Sequence, residues 1–373
     1  MTTGWVWDER CLWHDTGRYA GVRPPGPWLE PHVHLENAEV KRRMRSLVEV
    51  SGLLAQLTPI AARPATVEEV CRFHDPAYVE RIRGLSAADG GDAGDGTPFG
   101  RGSYELALLA AGGVIAAVDA VLDETVDNAY ALVRPPGHHA LPDRGMGFCI
   151  FGNVAIAVMH ARRARGVGRV AVVDWDVHHG NGTQAAFYED PDVLTISIHQ
   201  SGGFPHGSGR LEETGAGAGA GANLNIPLPP GCGTGAYVAA FERVVVPALL
   251  RFAPELIVVA SGFDAAGMDP LGRMLLHSDS YRQLTRMVMD AAAGCCAERV
   301  VCAHEGGYSA HLSPLCGHAV VETLAGVRTA VEDPFVEHIA GSDGQELAPH
   351  QAEAVERAAG LVDRVPRRPP RPR

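Results

Sequence analysis

From about Ala129 onward the chain alternates short β-branched runs with long alanine-rich stretches, and this limits its fold more than any other feature of the sequence. The runs AYALVRPP (129–136), RVAVVDWDV (169–177), VLTISIH (193–199), ELIVVASGF (255–263) and RVVCAHEGG (299–307) read as strands, and the segments 103–122, 152–166, 234–250 and 280–297 read as helices. Such alternation builds βαβ units around a parallel sheet. The expected fold class is α/β, a three-layer helix–sheet–helix arrangement with a mainly parallel central sheet. No linker interrupts the 373 residues, so residues 1–363 are expected to form a single domain. The Pro/Arg-rich end RVPRRPPRPR (364–373) is expected to be a disordered tail, and the Gly-rich stretches 87–102 and 215–222 to be mobile loops.

With 46% hydrophobic and 20% charged residues the chain can bury a large core. Its formal net charge of −12 argues against a nucleic-acid partner, which would meet a basic face. The same field suits a cationic substrate, although acidity also serves solubility. The eight cysteines (Cys11, Cys71, Cys149, Cys232, Cys295, Cys296, Cys302, Cys316) are scattered without a CxxC pair and read as reduced core residues. The N-terminus carries no leader pattern, and no apolar stretch approaches ~18 residues. The expectation is a cytoplasmic protein without a membrane partner.

In open α/β sheets ligands bind in the loops beyond the carboxyl ends of the strands. Here those ends carry polar residues repeatedly: His138 and His139, then Asp174, Asp176 and His178, then Asp264, then Tyr308. Alternation along a strand puts Asp174, Asp176 and His178 on one side, with Trp175 and Val177 on the other. An Asp-x-His pair alone is more often a hydrogen-bonded strand end than a metal site. Asp264 on a separate strand end supplies a third ligand, and two carboxylates with one imidazole leave an open position, as a catalytic metal requires. That set fits Zn²⁺ and also Fe²⁺ or Co²⁺. The paired histidines after Pro-Pro-Gly suit proton transfer near neutral pH. Tyr308, after two glycines, reads either as a surface cap or as a donor to a substrate carbonyl.

Together, RPPGHHA (134–140), GFCIFGNVAIA (147–157), VDWDVHHGNGTQ (173–184), ISIHQ (196–200), SGFDAAGMDPLG (261–272) and EGGY (305–308) resemble, in order, the histone deacetylase family. The resemblance is to its class II-like bacterial amidohydrolases and the related acetylpolyamine amidohydrolases. It implies the arginase/deacetylase fold, with Asp176, His178 and Asp264 as zinc ligands and Tyr308 as the carbonyl-polarising group. It makes His139 the general base and later acid, and His138 its electrostatic companion oriented by Asp174. Asn181 becomes the partner of His139, where class I members carry Asp. It further implies a structural K⁺ held by Asp174, Asp176 and Ser197 with the carbonyls of His178 and Ile198. Phe148 and Phe204 would be the walls of an acyl-lysine tunnel, with Gly147, Gly306 and Leu271 contacting substrate, and Arg42 would lie near an exit cavity below the zinc.

The implied reaction is hydrolysis of an acyl-lysine peptide or protein. A polyamine deacetylase is the rival within the same chemistry. Relatives specialised for polyamines carry an acidic residue where Leu271 stands, which favours lysine. A non-catalytic acyl-lysine binder would be free to lose a ligand, a histidine or the tyrosine, and this chain keeps all of them. Arginase-like binuclear hydrolases need further bridging ligands. The Gly-rich loop 87–102 is expected near the mouth of the site, where it would govern access and pairing with a second subunit.

Overall fold

The structure, a computed structural model, describes residues 1–367. Eight strands form one sheet: β1 (Thr3–Val6), β2 (Thr58–Ile60), β3 (Asn128–Ala131), β4 (Val170–Asp174), β5 (Val193–Gln200), β6 (Asn223–Leu228), β7 (Leu256–Ser261) and β8 (Val300–His304). Their order across the sheet is β6-β5-β4-β7-β8-β3-β1-β2, and every neighbouring pair is parallel. The helices that matter for the site are α1 (Glu39–Val50), α2 (Ser103–Leu122), α3 (Asn153–Arg165), α4 (Asn181–Phe187), α5 (Ser278–Cys295) and α6 (Ser313–Ala325).

The strands read as continuous apolar runs because both faces are covered. Ala171 and Val173 of β4 and Ile257 and Val259 of β7 enter one core, packed by α1, α5 and α6. Val170, Val172, Leu256 and Val258 enter the other, with α2 and α3. This is the three-layer α/β architecture the sequence implied.

Chain order sets the position of the site. From β4 the chain steps outward through β5 to β6, then returns to place β7 and β8 on the opposite side of β4. The crevice between β4 and β7 is therefore a topological switch point, the position at which such sheets bind ligands.

Several expectations are corrected. β4 stops at Asp174 rather than running to 177, and β3 spans only Asn128–Ala131. The expected helix 234–250 is two helices, Thr234–Ala240 and Val246–Phe252, joined by a π-helical turn. The stretch 87–102 is no loose loop: Gly91–Asp92 pairs with Pro98–Phe99, and Ala93 and Thr97 are fully buried. In the glycine–alanine run, Gly217–Gly219 makes a 3-10 turn with Gly219 buried. α2 is long and apolar enough to cross a bilayer, contrary to the reading of no such stretch, but most of it is buried inside the protein. The packed body extends past residue 363, since Val362–Arg364 form a 3-10 turn and Val365 is buried. Residues 368–373 of the expected tail lie outside the described residues.

Candidate active site

Beyond Asp174 the backbone bends, so Trp175 and Val177 enter the core while Asp176 and His178 meet Asp264 across the β4–β7 crevice. His178 Nδ1 lies 3.1 Å from Asp176 Oδ1 and 3.0 Å from Asp264 Oδ2. One ligand atom from each of the three falls within 4.8 Å of the others. Backbone N–H groups fix the carboxylates: Val177 donates to Asp264 Oδ1 at 2.8 Å and Gly306 to Asp176 Oδ2 at 2.9 Å. A Cβ at position 306 would sit 2.5 Å from a carboxylate oxygen of both Asp176 and Asp264, so the close approach demands glycine there.

The electrostatics of these three groups show two carboxylates and an imidazole that suit a cation between them. Burial, and then the charge of Asp176, push the Asp264 carboxyl up to about 7. For Asp176, burial is outweighed by His138 and His178, and its carboxyl is held low. Burial also opposes charge on His178, but hydrogen bonds to both aspartates push it up to about 10. An imidazole proton is thus the nearest balance for two buried carboxylates, and a divalent cation would displace it. Two oxygen donors and one nitrogen donor on rigid strand ends fit such an ion.

The adjacent histidines lie with ring centroids 3.9 Å apart. His138 Nδ1 donates to Asp174 Oδ2 at 3.0 Å, and its Nε2 is 3.8 Å from Asp176 Oδ2. Burial disfavours its charge, but Asp176 and Asp174 override that and hold it well above the usual imidazole range. His139 Nδ1 donates instead to the neutral Asn181 Oδ1 at 2.8 Å. Burial, reinforced by the charges of His138 and His178, holds it well below that range. The pair therefore divides into a cation and a neutral base, the separation by which neighbouring titratable groups take different roles. With Nδ1 bearing its proton, His139 keeps the Nε2 lone pair free.

Aromatic rings frame the histidines. Phe204 stands edge-on to His139 at 5.1 Å, and Phe148 stands edge-on to Tyr308 at 5.7 Å. Gly147, at φ +51°, fills the gap between His139 and Phe204; a Cβ there would come within 2.5 Å of the imidazole and 2.7 Å of the phenyl ring. Burial, then Asp264 and Asp176, push the Tyr308 phenol well above its usual range, so it stays a donor. Leu271 is partly exposed, its N–H bonded to Asp269 Oδ1 at 2.9 Å.

The histone deacetylase domain model matches residues 34–324. The chain belongs to the histone deacetylase family. It is 54% identical over 340 residues to the histone deacetylase-like amidohydrolase of Pseudomonas aeruginosa, covering 90% of each chain. It is 38% identical over 317 residues to the human polyamine deacetylase HDAC10, covering 80% of this chain and 46% of the human one. The crystal structure of the HDA15 HD domain superposes with a TM-score of 0.84 at 31% identity, covering 97% of this chain and 94% of that one.

Within this deacetylase fold one expected residue is misplaced. Arg42 lies on the exposed face of α1, paired with Glu39 at 2.6 Å, instead of beneath the metal candidates. Its neighbour Lys41 takes the interior position, 3.2 Å from the buried Glu36, which Arg134 grips through Nε and Nη2 at 2.9 and 2.8 Å. Arg134 immediately precedes the turn that delivers His138 and His139, so this ion cluster anchors the segment that carries them.

Two further acids went unassigned in the sequence. Glu305 is buried and accepts the N–H groups of Gly137 and His138 at 2.6 and 3.1 Å, and burial pushes its carboxyl up to about 7. The signal was its place just before Gly-Gly-Tyr. Asp269 accepts the N–H of Tyr308 at 2.6 Å. Among the described residues, His138, Cys149 and Glu305 also lie close enough to hold an ion. Burial pushes the Cys149 thiol well above its usual range, which disfavours the thiolate a metal needs. Ser197 and Ile198 are buried on β5, and Ser197 Oγ pairs with His199 Nδ1 at 2.9 Å.

Proposed function

We propose that the chain is a zinc-dependent amidohydrolase that removes acyl groups from lysine side chains. The observation that carries this reading is the convergence of Asp176, His178 and Asp264 beside two adjacent histidines, one bonded to the Asp174 carboxylate and the other to the Asn181 amide. Asp176, His178 and Asp264 would hold the ion, and Fe²⁺ or Co²⁺ would suit the same donors. When bound, zinc polarises an acyl carbonyl and makes water a nucleophile at neutral pH. His139, neutral with a free Nε2, accepts the proton of the attacking water and later returns one to the departing amine. His138, bonded to Asp174, is the electrostatic companion of His139. The Tyr308 phenol donates to the carbonyl oxygen as charge develops on it. Phe148 and Phe204 grip the aliphatic stem of the substrate, with Gly147 and Gly306 beside it. The products are a free amine and a carboxylate.

A structural K⁺ at Asp174, Asp176 and Ser197, with the carbonyls of His178 and Ile198, belongs to the same reading. So does a reducing, cytoplasmic location, supported by eight unpaired cysteines. The net charge of −12 favours a cationic protein or peptide partner over nucleic acid.

Acetylpolyamines are the second reading, favoured by the likeness to a polyamine deacetylase. Leu271 weighs against it, because an apolar side chain there offers no ion pair to a second ammonium. Hydrolysis of an acetyl-lysine peptide and of an N-acetylated polyamine, each with and without chelator, decides between them. Chelator-sensitive turnover of the peptide, with Leu271→Glu moving preference toward the polyamine, is the expected result. Turnover of the polyamine alone assigns the enzyme to small amines, and binding without turnover of either makes it an acyl-lysine binder.

A further inference from the structure

Tyr308 follows Gly306 and Gly307, two residues without side chains to hold them, and Gly307 lies at φ +117°. Such a pair can swing a phenol through many orientations, since glycine has few steric limits. The segment is nevertheless tied at both ends. Gly306 N–H donates to Asp176 Oδ2 and its carbonyl accepts from Phe263 N–H at 3.0 Å. Beyond the hinge, Asp269 Oδ2 accepts the N–H groups of Tyr308 at 2.6 Å and Ser309 at 3.2 Å. Asp269 Oδ1 accepts the N–H of Leu271 at 2.9 Å.

One carboxylate thus joins the loop that carries Tyr308 to the loop that carries Leu271. Asp269 is 9% exposed. Charge-assisted bonds from backbone N–H to a buried carboxylate are short and directional, so they hold a loop far better than neutral bonds do. Ordinary turn-forming aspartates serve their own loop; this one serves two, and each bears a side chain assigned here to the substrate.

We propose that Asp269 is the positioning residue of the site, locking the Gly-Gly hinge so that the Tyr308 phenol is held over the acyl carbonyl and registered against the Leu271 side chain. This rests on the reading of Tyr308 as the carbonyl donor. A group that acts only by aiming the phenol loses its effect when the phenol is gone, and a double-mutant cycle measures that dependence.

The test is kcat and KM on an acetyl-lysine peptide for the wild type, Asp269→Ala, Tyr308→Phe and the double variant, each normalised to its bound metal. Removing one oxyanion donor costs about 10²–10³-fold in kcat. Asp269→Ala is expected to lower kcat by about 10²-fold, with a smaller change in KM, because the loss falls on the transition state. In the Tyr308→Phe background the same substitution should cost no more than about threefold. Asp269→Asn, nearly isosteric and still able to accept from one loop, should fall between wild type and Asp269→Ala; it also carries the cycle if the alanine variant does not fold.

A kcat loss that multiplies undiminished onto Tyr308→Phe overturns the positioning role and leaves the phenol's role standing. Wild-type turnover by Asp269→Ala overturns it as well. Wild-type turnover by Tyr308→Phe overturns the reading of the phenol, and the role of Asp269 falls with it.

Discussion

The molecule buries charge in two places, and they are built on opposite terms. Around Glu36 the balance is internal: one carboxylate is gripped by Arg134 and by Lys41, all three within the core. Burial alone would raise the Glu36 carboxyl, but the two cations overcome it and hold the group well below the usual range. Around Asp264 the balance is unfinished. Asp174, Asp176, Asp264 and Glu305 are all buried, and among the described residues the cations acting on them are the imidazolium forms of His138 and His178, with Lys41 also reaching Glu305. Burial raises the carboxyls of Asp174, Asp264 and Glu305 instead of letting them ionise freely. A buried ion pair that completes itself stabilises a fold only if it stays whole. A buried group of like charges without that balance marks a candidate functional site.

The largest effect should separate the two clusters. Asp264→Asn removes a metal donor and relieves like-charge crowding. Turnover should fall by at least about 10³-fold, metal content should drop, and the melting temperature of the metal-free protein should not fall. A lowered melting temperature would place Asp264 among ordinary structural carboxylates. Glu36→Gln should do the reverse: it strands two buried cations and should cost about 3–5 kcal/mol of stability, read by denaturant unfolding, while bound metal per folded chain stays the same.

Acid sharpens the contrast. When no metal is bound, His178, raised to about 10, carries its proton at neutrality, and Asp264, raised to about 7, takes one up as pH falls through that value. Metal must displace those protons, so affinity falls as pH falls, by about tenfold per unit for one proton and more steeply below pH ~7, where Asp264 also protonates. Glu36 has the opposite sign: its folded value is lowered, so its contribution is present above the ordinary glutamate range and is lost only as pH falls through the lowered value. Near pH 5 the protein should therefore release metal while the Glu36 cluster still holds. Metal titration and circular dichroism across pH 5–8 check both halves.

The smallest effect lies inside the site. Asn181→Asp puts a charge against His139 Nδ1, and the acid limb of kcat/KM should move up by about one pH unit. An unmoved limb would mean that another group sets it.

The candidate active-site edge was legible because the proposed chemistry needs His, Asp and Tyr at strand ends, and such residues stand out after apolar runs. The fold class was legible through the five central strands, whose apolar runs alternate with helical stretches. β1, β2 and β6 were not. The first two are short, and β6 carries Asn223 and Asn225, whose amides are buried and bonded to Gln184 at 2.9 Å; such residues read as a loop. Glu36 and Arg134 lie far apart in sequence, so no local pattern joins them. The Arg42 assignment failed by one position, and one residue turns a helix by roughly 100°, enough to exchange the buried Lys41 for a surface arginine. The clamp by Asp269 was hidden because backbone N–H groups, which every residue has, are its partners.

The most direct test of this account is to strip the protein of metal with chelator and titrate Zn²⁺ back while following hydrolysis of an acetyl-lysine peptide. Activity should vanish on removal and return linearly until one ion per chain is bound, with Asp264→Asn showing no return. Full turnover by the metal-stripped protein would contradict the claim that the unfinished cluster at Asp176, His178 and Asp264 is completed by a catalytic ion.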